Sequence, residues 1–165
     1  MEHSASLGDS VDRERPTLYL MVGLPGSGKT AQAEEIEADC AALRLTPDEW
    51  ILALYGAELD RRRRDTARAP VEALQWQVAK RALSLGCDVV LDWGFWSRAE
   101  RAMYRGEAEV LGAKVRTVFL DAAPEELWAR ISQRDESMAG TLQITRSELE
   151  EWSNSFERPT EEELS

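Results

Sequence analysis

Apolar positions along this chain fall into two spacings. Short, mostly apolar runs recur at Thr17–Val22, Leu43–Thr46, Asp88–Trp93 and Lys114–Asp121, and runs of that length bounded by polar or glycine residues predict buried strands. Between them the apolar residues repeat every three to four positions, the period of a helix with one buried stripe. From Gly28 onward Ala31, Ala33, Ile36, Cys40 and Leu43 can supply such a stripe. Thr46 reads as an N-cap with Pro47 at the first helical position, and that helix stops at Gly56. A helix over Pro70–Leu85 is expected to turn Val71, Leu74, Val78, Ala82 and Leu85 inward, and Gly86 ends it. Ser97 caps a helix from Arg98 to Leu111, Pro124 opens one to about Asp135, and Thr145 with Glu148 forms a capping box for one to about Phe156. Ala57–Ala69 reads as a mobile connection or a helix extension, and Glu136–Gln143 as a loop.

Strands that alternate with helices imply an α/β fold, with a parallel sheet covered by helices on both faces. Residues 17–165 read as one domain, preceded by a polar, loose tail over residues 1–16 that lacks the apolar segment of a signal peptide. No apolar run approaches the ~20 residues of a membrane-spanning helix, and a cytoplasmic protein, monomer or homodimer, is expected. The formal net charge of -11 excludes a broad basic face for duplex DNA. The single histidine, His3, excludes a histidine triad or a multi-histidine metal site. Cys40 and Cys87 form no CxxC pair and are expected to be reduced.

The chemistry starts at Gly23-Leu24-Pro25-Gly26-Ser27-Gly28-Lys29-Thr30. Glycines at these positions let the backbone fold around phosphate oxygens, with successive N–H groups and a helix N-terminus aimed at the anion. Lys29 is placed to reach the β and γ phosphates and Thr30 to ligate Mg²⁺. A strand before and a helix after supply the setting that separates this motif from a chance glycine-rich turn. Ligands of open α/β sheets lie at the carboxyl ends of the strands, so acids there matter. Asp92 is read as the residue that holds a Mg²⁺-bound water, against a plain strand-end aspartate. Asp48 is read as the carboxylate that takes a proton from an attacking hydroxyl, against simple first-turn helix electrostatics. Asp121 reads as a loop-initiating residue.

The segments "GLPGSGKT", "LTPDEW", "VVLDWGFWSRAER" and "LWARISQR", in this order, resemble the small P-loop kinases. That group includes polynucleotide kinase domains, chloramphenicol phosphotransferase and zeta-toxin-like kinases. The resemblance runs from about Thr17 to Leu164. It implies a three-layer, adenylate-kinase-like fold with strand order 2-3-1-4 and a short lid, ATP and Mg²⁺ as cofactors, and transfer of the γ-phosphate to a hydroxyl of a small-molecule acceptor. It further implies Asp48 as general base, and Arg130 and Arg134 as lid arginines, the first bordering adenine and the second approaching the phosphates. Four residues apart, the two arginines share a helix face. One departure stands out. Polynucleotide kinases carry an arginine shortly after the helix aspartate, whereas Asp48 is followed by Glu49-Trp50-Ile51-Leu52, which weighs against a nucleic-acid 5′ end as acceptor.

Trp50, Trp93 and Trp96 can wall an acceptor pocket or form a hydrophobic cover over the sheet, and Trp76 and Trp128 read as packing. Arg101 is a candidate phosphate or acceptor contact. Arg61–Arg64 reads as solvated surface or as an electrostatic gate for an anionic acceptor. "FERPT", Phe156–Thr160, can close over adenine or simply end a helix. A nucleotide-dependent switch is the other class of function. Such a protein needs a residue that orients water, and the glutamines at 75 and 77 fall on a helix away from the strand tips.

Overall fold

Each apolar run becomes a strand of one parallel sheet in a computed structural model, which describes residues 15–56, 60–137 and 144–165. The elements follow in the order β1 (Thr17–Val22), α1 (Lys29–Cys40), β2 (Leu43–Leu45), α2 (Pro47–Tyr55), α3 (Arg61–Ser84), β3 (Val89–Gly94), α4 (Arg98–Val110), β4 (Lys114–Phe119), α5 (Pro124–Ser137), α6 (Arg146–Ser155) and α7 (Glu161–Leu164). The strands are ordered β2-β3-β1-β4, every neighbouring pair parallel, which is the order the family resemblance implies. Residues 1–14 of the expected tail and residues 138–143 of the expected loop lie outside the described residues.

The two sheet faces follow from the period-two alternation of strand side chains. Leu18, Leu20 and Val22 of β1, with Val89, Leu91 and Trp93 of β3, pack against Trp76, Ala79 and Leu83 of α3 and Ala108 of α4. Tyr19, Met21 and Val90 face the other way, onto Ala33 of α1. A third cluster, Leu127, Ile131 and Leu149, joins α5 to α6, and Leu24 of the phosphate loop packs on it.

Two helices differ from expectation. α1 buries Ala33 and half-buries Ile36, while Ala31 and Cys40 are exposed. α3 begins nine residues before Pro70, with Asp60 accepting from the Arg63 N–H as its cap. Its buried stripe is Val71, Gln75, Trp76, Ala79 and Leu83, whereas Leu74, Val78 and Leu85 are exposed. Both stripes are apolar at helical spacing and lie about one residue apart around the axis. Gln75 disguises the true one: it is fully buried, and neither amide atom has a hydrogen-bond partner among the described residues.

α7 closes the helical layer through an ion pair. Arg101 of α4, 1% exposed, donates from Nε to Glu163 Oε1 at 2.6 Å and from Nη1 to the Phe95 carbonyl at 3.0 Å. Arg105 donates to the Glu163 carbonyl at 3.0 Å. The guanidinium of Arg101 holds the Glu163 carboxyl down at about 2. A depressed carboxylate stabilises the fold above its ordinary value of 4.5 and loses that contribution as pH falls toward 2. Glu163→Gln is expected to cost about 3 kcal/mol at pH 7, because a buried guanidinium loses its counter-charge. The loss should appear as faster hydrogen exchange over residues 157–165. In the wild type, the same segment should loosen between pH 4.5 and 2.

Candidate active site

The carboxyl ends of β1 and β3 meet where the phosphate loop leaves the sheet. Gly23 N donates to the Gly94 carbonyl at 3.1 Å, tying the two strand ends together. A Cβ on Gly23 would stand 2.8 Å from the Leu120 carbonyl oxygen, and Gly26 adopts φ +81°, where a Cβ would meet the Leu127 carbonyl at 3.0 Å. Only glycine fits this turn at both positions. Ser27 is buried, and Gly28 is the N-cap residue that releases the chain into α1. Lys29 Nζ donates to the Leu24 carbonyl at 2.8 Å, so the ammonium lies across the loop. Burial is the main cause that lowers its ionisation to about 8; Asp92 opposes this, Arg68 adds to it, and Asp48 opposes it more weakly.

Asp92 lies beneath the loop at 5% exposure. Its Oδ2 accepts from the Thr30 hydroxyl at 2.8 Å and from the Thr46 hydroxyl at 3.3 Å. Thr46 holds the N-cap position of α2 but makes no capping bond. Arg44 donates to its hydroxyl at 2.7 Å, which leaves the Thr46 proton for Asp92. Asp92 Oδ1 is buried without a partner among the described residues. A buried, unbonded carboxylate oxygen beside a threonine hydroxyl is an all-oxygen donor set suited to a hard divalent cation that keeps several waters, so Thr30 and Asp92 fit Mg²⁺.

Asp48, in the first turn of α2, stands in a different setting. Its side chain is 66% exposed and pairs with Arg68 Nη1 at 3.2 Å. Arg68 also donates to the Trp93 carbonyl at 3.0 Å and pairs with Glu72 at 2.7 Å. The end of β3 thereby fixes the guanidinium, and the guanidinium fixes Asp48.

From α5, Arg130 donates to the Gly26 carbonyl at 3.3 Å, bringing the expected lid helix onto the loop. Arg134 lies one turn further on, exposed, in the last turn of α5. Beside the loop, a cleft of about 180 Å³ is lined by Leu24, Phe119, Leu120, Asp121, Phe156 and Arg158, among others. Arg158 pairs with Asp121 and stands 5.3 Å over the Phe119 ring, and Phe156 stacks on Phe119 at 5.9 Å. The FERPT segment therefore packs against the end of β4 beside this cleft.

A family profile described as an AAA domain matches residues 18–159. The chain belongs to the AAA_33 family. No curated protein matches it by sequence. Among solved structures, this AAA_33 domain is similar to a Chloroflexus aurantiacus protein described provisionally as a kinase, with TM-score 0.74, 18% identity, and 89% of this chain and 83% of that chain covered. It is also similar to a chain of the Pnkp1/Rnl/Hen1 RNA repair complex, with TM-score 0.70 and 22% identity, covering 86% of this chain and 44% of that one. A third is Kti12 of Chaetomium thermophilum in complex with ADP-AlF3, with TM-score 0.67, 21% identity, and 87% and 81% covered. These likenesses establish the fold, a four-stranded parallel α/β sheet of the P-loop kinase type.

Two expected acceptor contacts of the AAA_33 domain lie elsewhere. Trp93 is 6% exposed and packs in the core, stacked on Phe95 at 5.5 Å and edge-on to Tyr104 at 5.3 Å. Arg101 is committed to Glu163 and the Phe95 carbonyl, as described above. Trp96 remains at the mouth, half-buried and 5.5 Å from Trp152 of α6. Arg61 is anchored too, donating to Glu148 and standing 5.8 Å over Trp152. Arg68 and Trp152 have no place among the sequence expectations, and Thr46 appears there only as a helix cap. For Arg68 the signal lies in the helix-extension alternative for residues 57–69, which places it one turn above Val71 and Glu72. Among the described residues, no helix is long and apolar enough to cross a membrane, and no three His, Cys, Asp or Glu side chains cluster as a metal site.

Proposed function

We propose that this protein is an ATP-dependent phosphotransferase that moves the γ-phosphate to a hydroxyl of a small-molecule acceptor. One observation carries this reading: two carboxylates flank the loop in opposite surroundings. Asp92 is buried and bonded to two hydroxyls, suited to a cation. Asp48 is exposed, held by Arg68 and close enough to Lys29 to influence its charge, suited to a reacting hydroxyl. A protein that only sensed nucleotide would need the first acid and not the second.

In this reading the loop N–H groups and Lys29 hold the β and γ phosphates. Mg²⁺, when bound through Thr30 and Asp92, offsets charge developing between them. Asp48 orients the acceptor and takes its proton. Arg130 and Arg134 close from α5 and limit loss of phosphate to water. The cleft along Leu24, Phe119 and Arg158 takes the base, so that the C-terminal segment borders adenine.

A 5′-hydroxyl nucleic-acid end is the second reading, and Arg68 is the observation that favours it. It supplies from α3 the cation that the segment after Asp48 lacks. The test is transfer from γ-labelled ATP across small hydroxyl compounds and 5′-hydroxyl oligonucleotides. Labelling of small compounds supports the first reading, and labelling of oligonucleotides alone the second. If no acceptor raises ATP turnover but a protein partner does, the switch reading replaces both.

A further inference from the structure

The less exposed stripe of α3 continues past the point where the core stops. It runs from Leu83 through Ala79, Gln75 and Val71 to Arg68, Arg64 and Arg61, at spacings of three and four that keep it on one helix face. Its lower part packs on the sheet. The upper part has no sheet beneath it, because Arg68 already reaches the Trp93 carbonyl, next to the last residue of β3. α3 leads into β3 through a short turn and so runs opposite to it. Everything N-terminal to Arg68 therefore rises beyond the carboxyl ends of the strands. At 1.5 Å per residue this makes a ridge about 10 Å high beside the crevice.

The stripe turns from apolar to cationic along this ridge. Its two ends are pinned, Arg61 by Glu148 and Trp152, Arg68 by Asp48, Glu72 and the Trp93 carbonyl. Arg64 lies between them on the same face, half-buried, and its Nε is shut off from solvent with no hydrogen-bond partner among the described residues. A buried guanidinium N–H left without an acceptor is costly, and the pinned neighbours keep α3 from rolling it outward. Arg62 and Arg63, on the other side of the helix, are exposed.

From this arrangement we propose that Arg64 is the anion ligand of the acceptor site. The compound whose hydroxyl meets Asp48 carries a phosphate or carboxylate of its own, which seats on Arg64, one turn along the helix from Arg61 and its Trp152 contact. The proposal rests on the phosphotransferase reading and names the substrate class within it. A guanidinium fork takes either anion through paired hydrogen bonds. One helical turn separates Arg64 from Arg68, about 5–6 Å along the axis, a span that a hydroxylated compound of three to six carbons bridges. In the transfer, the acceptor oxygen bonds to the γ-phosphorus, the bond from that phosphorus to the β–γ bridging oxygen breaks to leave ADP, and the hydroxyl proton passes to Asp48.

The test uses the full chain with Mg²⁺ and a non-hydrolysable ATP analogue filling the phosphate loop. Calorimetric titration compares neutral polyols of three to six carbons with the matching hydroxy-carboxylates and sugar phosphates. At least one anionic member should bind more tightly than its neutral partner, and the two anionic arms show which anion is preferred. Arg64→Gln should weaken that binding at least tenfold and Arg64→Lys by less, while Arg62→Gln should leave it unchanged. Affinity for the ATP analogue should be equal in all four proteins. The proposal is overturned if no anion outbinds its neutral partner, if Arg64→Gln binds it as wild type does, or if a 5′-hydroxyl oligonucleotide outbinds every small anion through Arg64. Should Arg64→Gln fail to take up the analogue, Arg64→Lys decides: wild-type affinity and selectivity there overturn the proposal. Arg64-dependent anion binding with no transfer from ATP would sink the phosphotransferase reading alone. Transfer to neutral acceptors, undiminished in Arg64→Gln, would sink this one alone.

Discussion

Asp48→Asn is expected to slow phosphate transfer about 10²- to 10⁴-fold, the usual contribution of a positioned general base, and to leave ATP affinity unchanged. Asparagine keeps the shape of the side chain and can still accept from Arg68, but it cannot take the proton of an attacking hydroxyl. Structural damage should be small. The Asp48–Arg68 pair is largely exposed, and such pairs contribute about 1 kcal/mol or less. Single-turnover transfer from labelled ATP, with ATP affinity measured alongside, separates these effects. Full transfer by the variant would remove Asp48 from the mechanism.

Lys29→Met should be as damaging to transfer, by about 10²–10³-fold or more, since it removes a fixed cation from the phosphoryl group where charge develops. It also carries a pH signature. Burial lowers the Lys29 ammonium to about 8, so part of the population is neutral once the pH exceeds that value. Phosphate oxygens next to the nitrogen favour the charged form. Nucleotide binding should therefore take up a proton above pH 8, and affinity should fall as pH rises from there toward the ordinary lysine value of 10.5. Calorimetry at pH 8.5 in buffers of different ionisation enthalpy measures the uptake. Lys29→Met should show none, and a wild type with no uptake would contradict the buried ammonium.

What could be read in the sequence was whatever is local. The phosphate loop, the strand before it and the Thr145–Glu148 capping box each sit within a few consecutive residues, and the structure has them where the pattern predicts. The sheet order came from the family resemblance rather than from periodicity. What stayed hidden was long-range pairing. Arg101 looks like a site residue because it stands in the family-like segment SRAER after β3, but the glutamate that claims it is 62 positions away. Arg68 is 20 positions from Asp48, behind a proline that normally marks a helix start. Trp93 is a different case, for the signal was present: if Asp92 faces the loop, period-two alternation sends the next side chain to the opposite sheet face, where α3 and α4 bury it.

The central position of β1 has a consequence during synthesis. Leu18 pairs with Val89 on one side and Val115 on the other, so β1, made before the other three strands of its sheet, must wait for both neighbours. At about 5–20 residues per second, close to a hundred further residues take roughly 5–20 s. Over that interval β1 lacks first both of its neighbours and then, once β3 is made, still the β4 side. Chaperone capture of the nascent chain should therefore be strongest while β1 is out and β4 is still inside the ribosome.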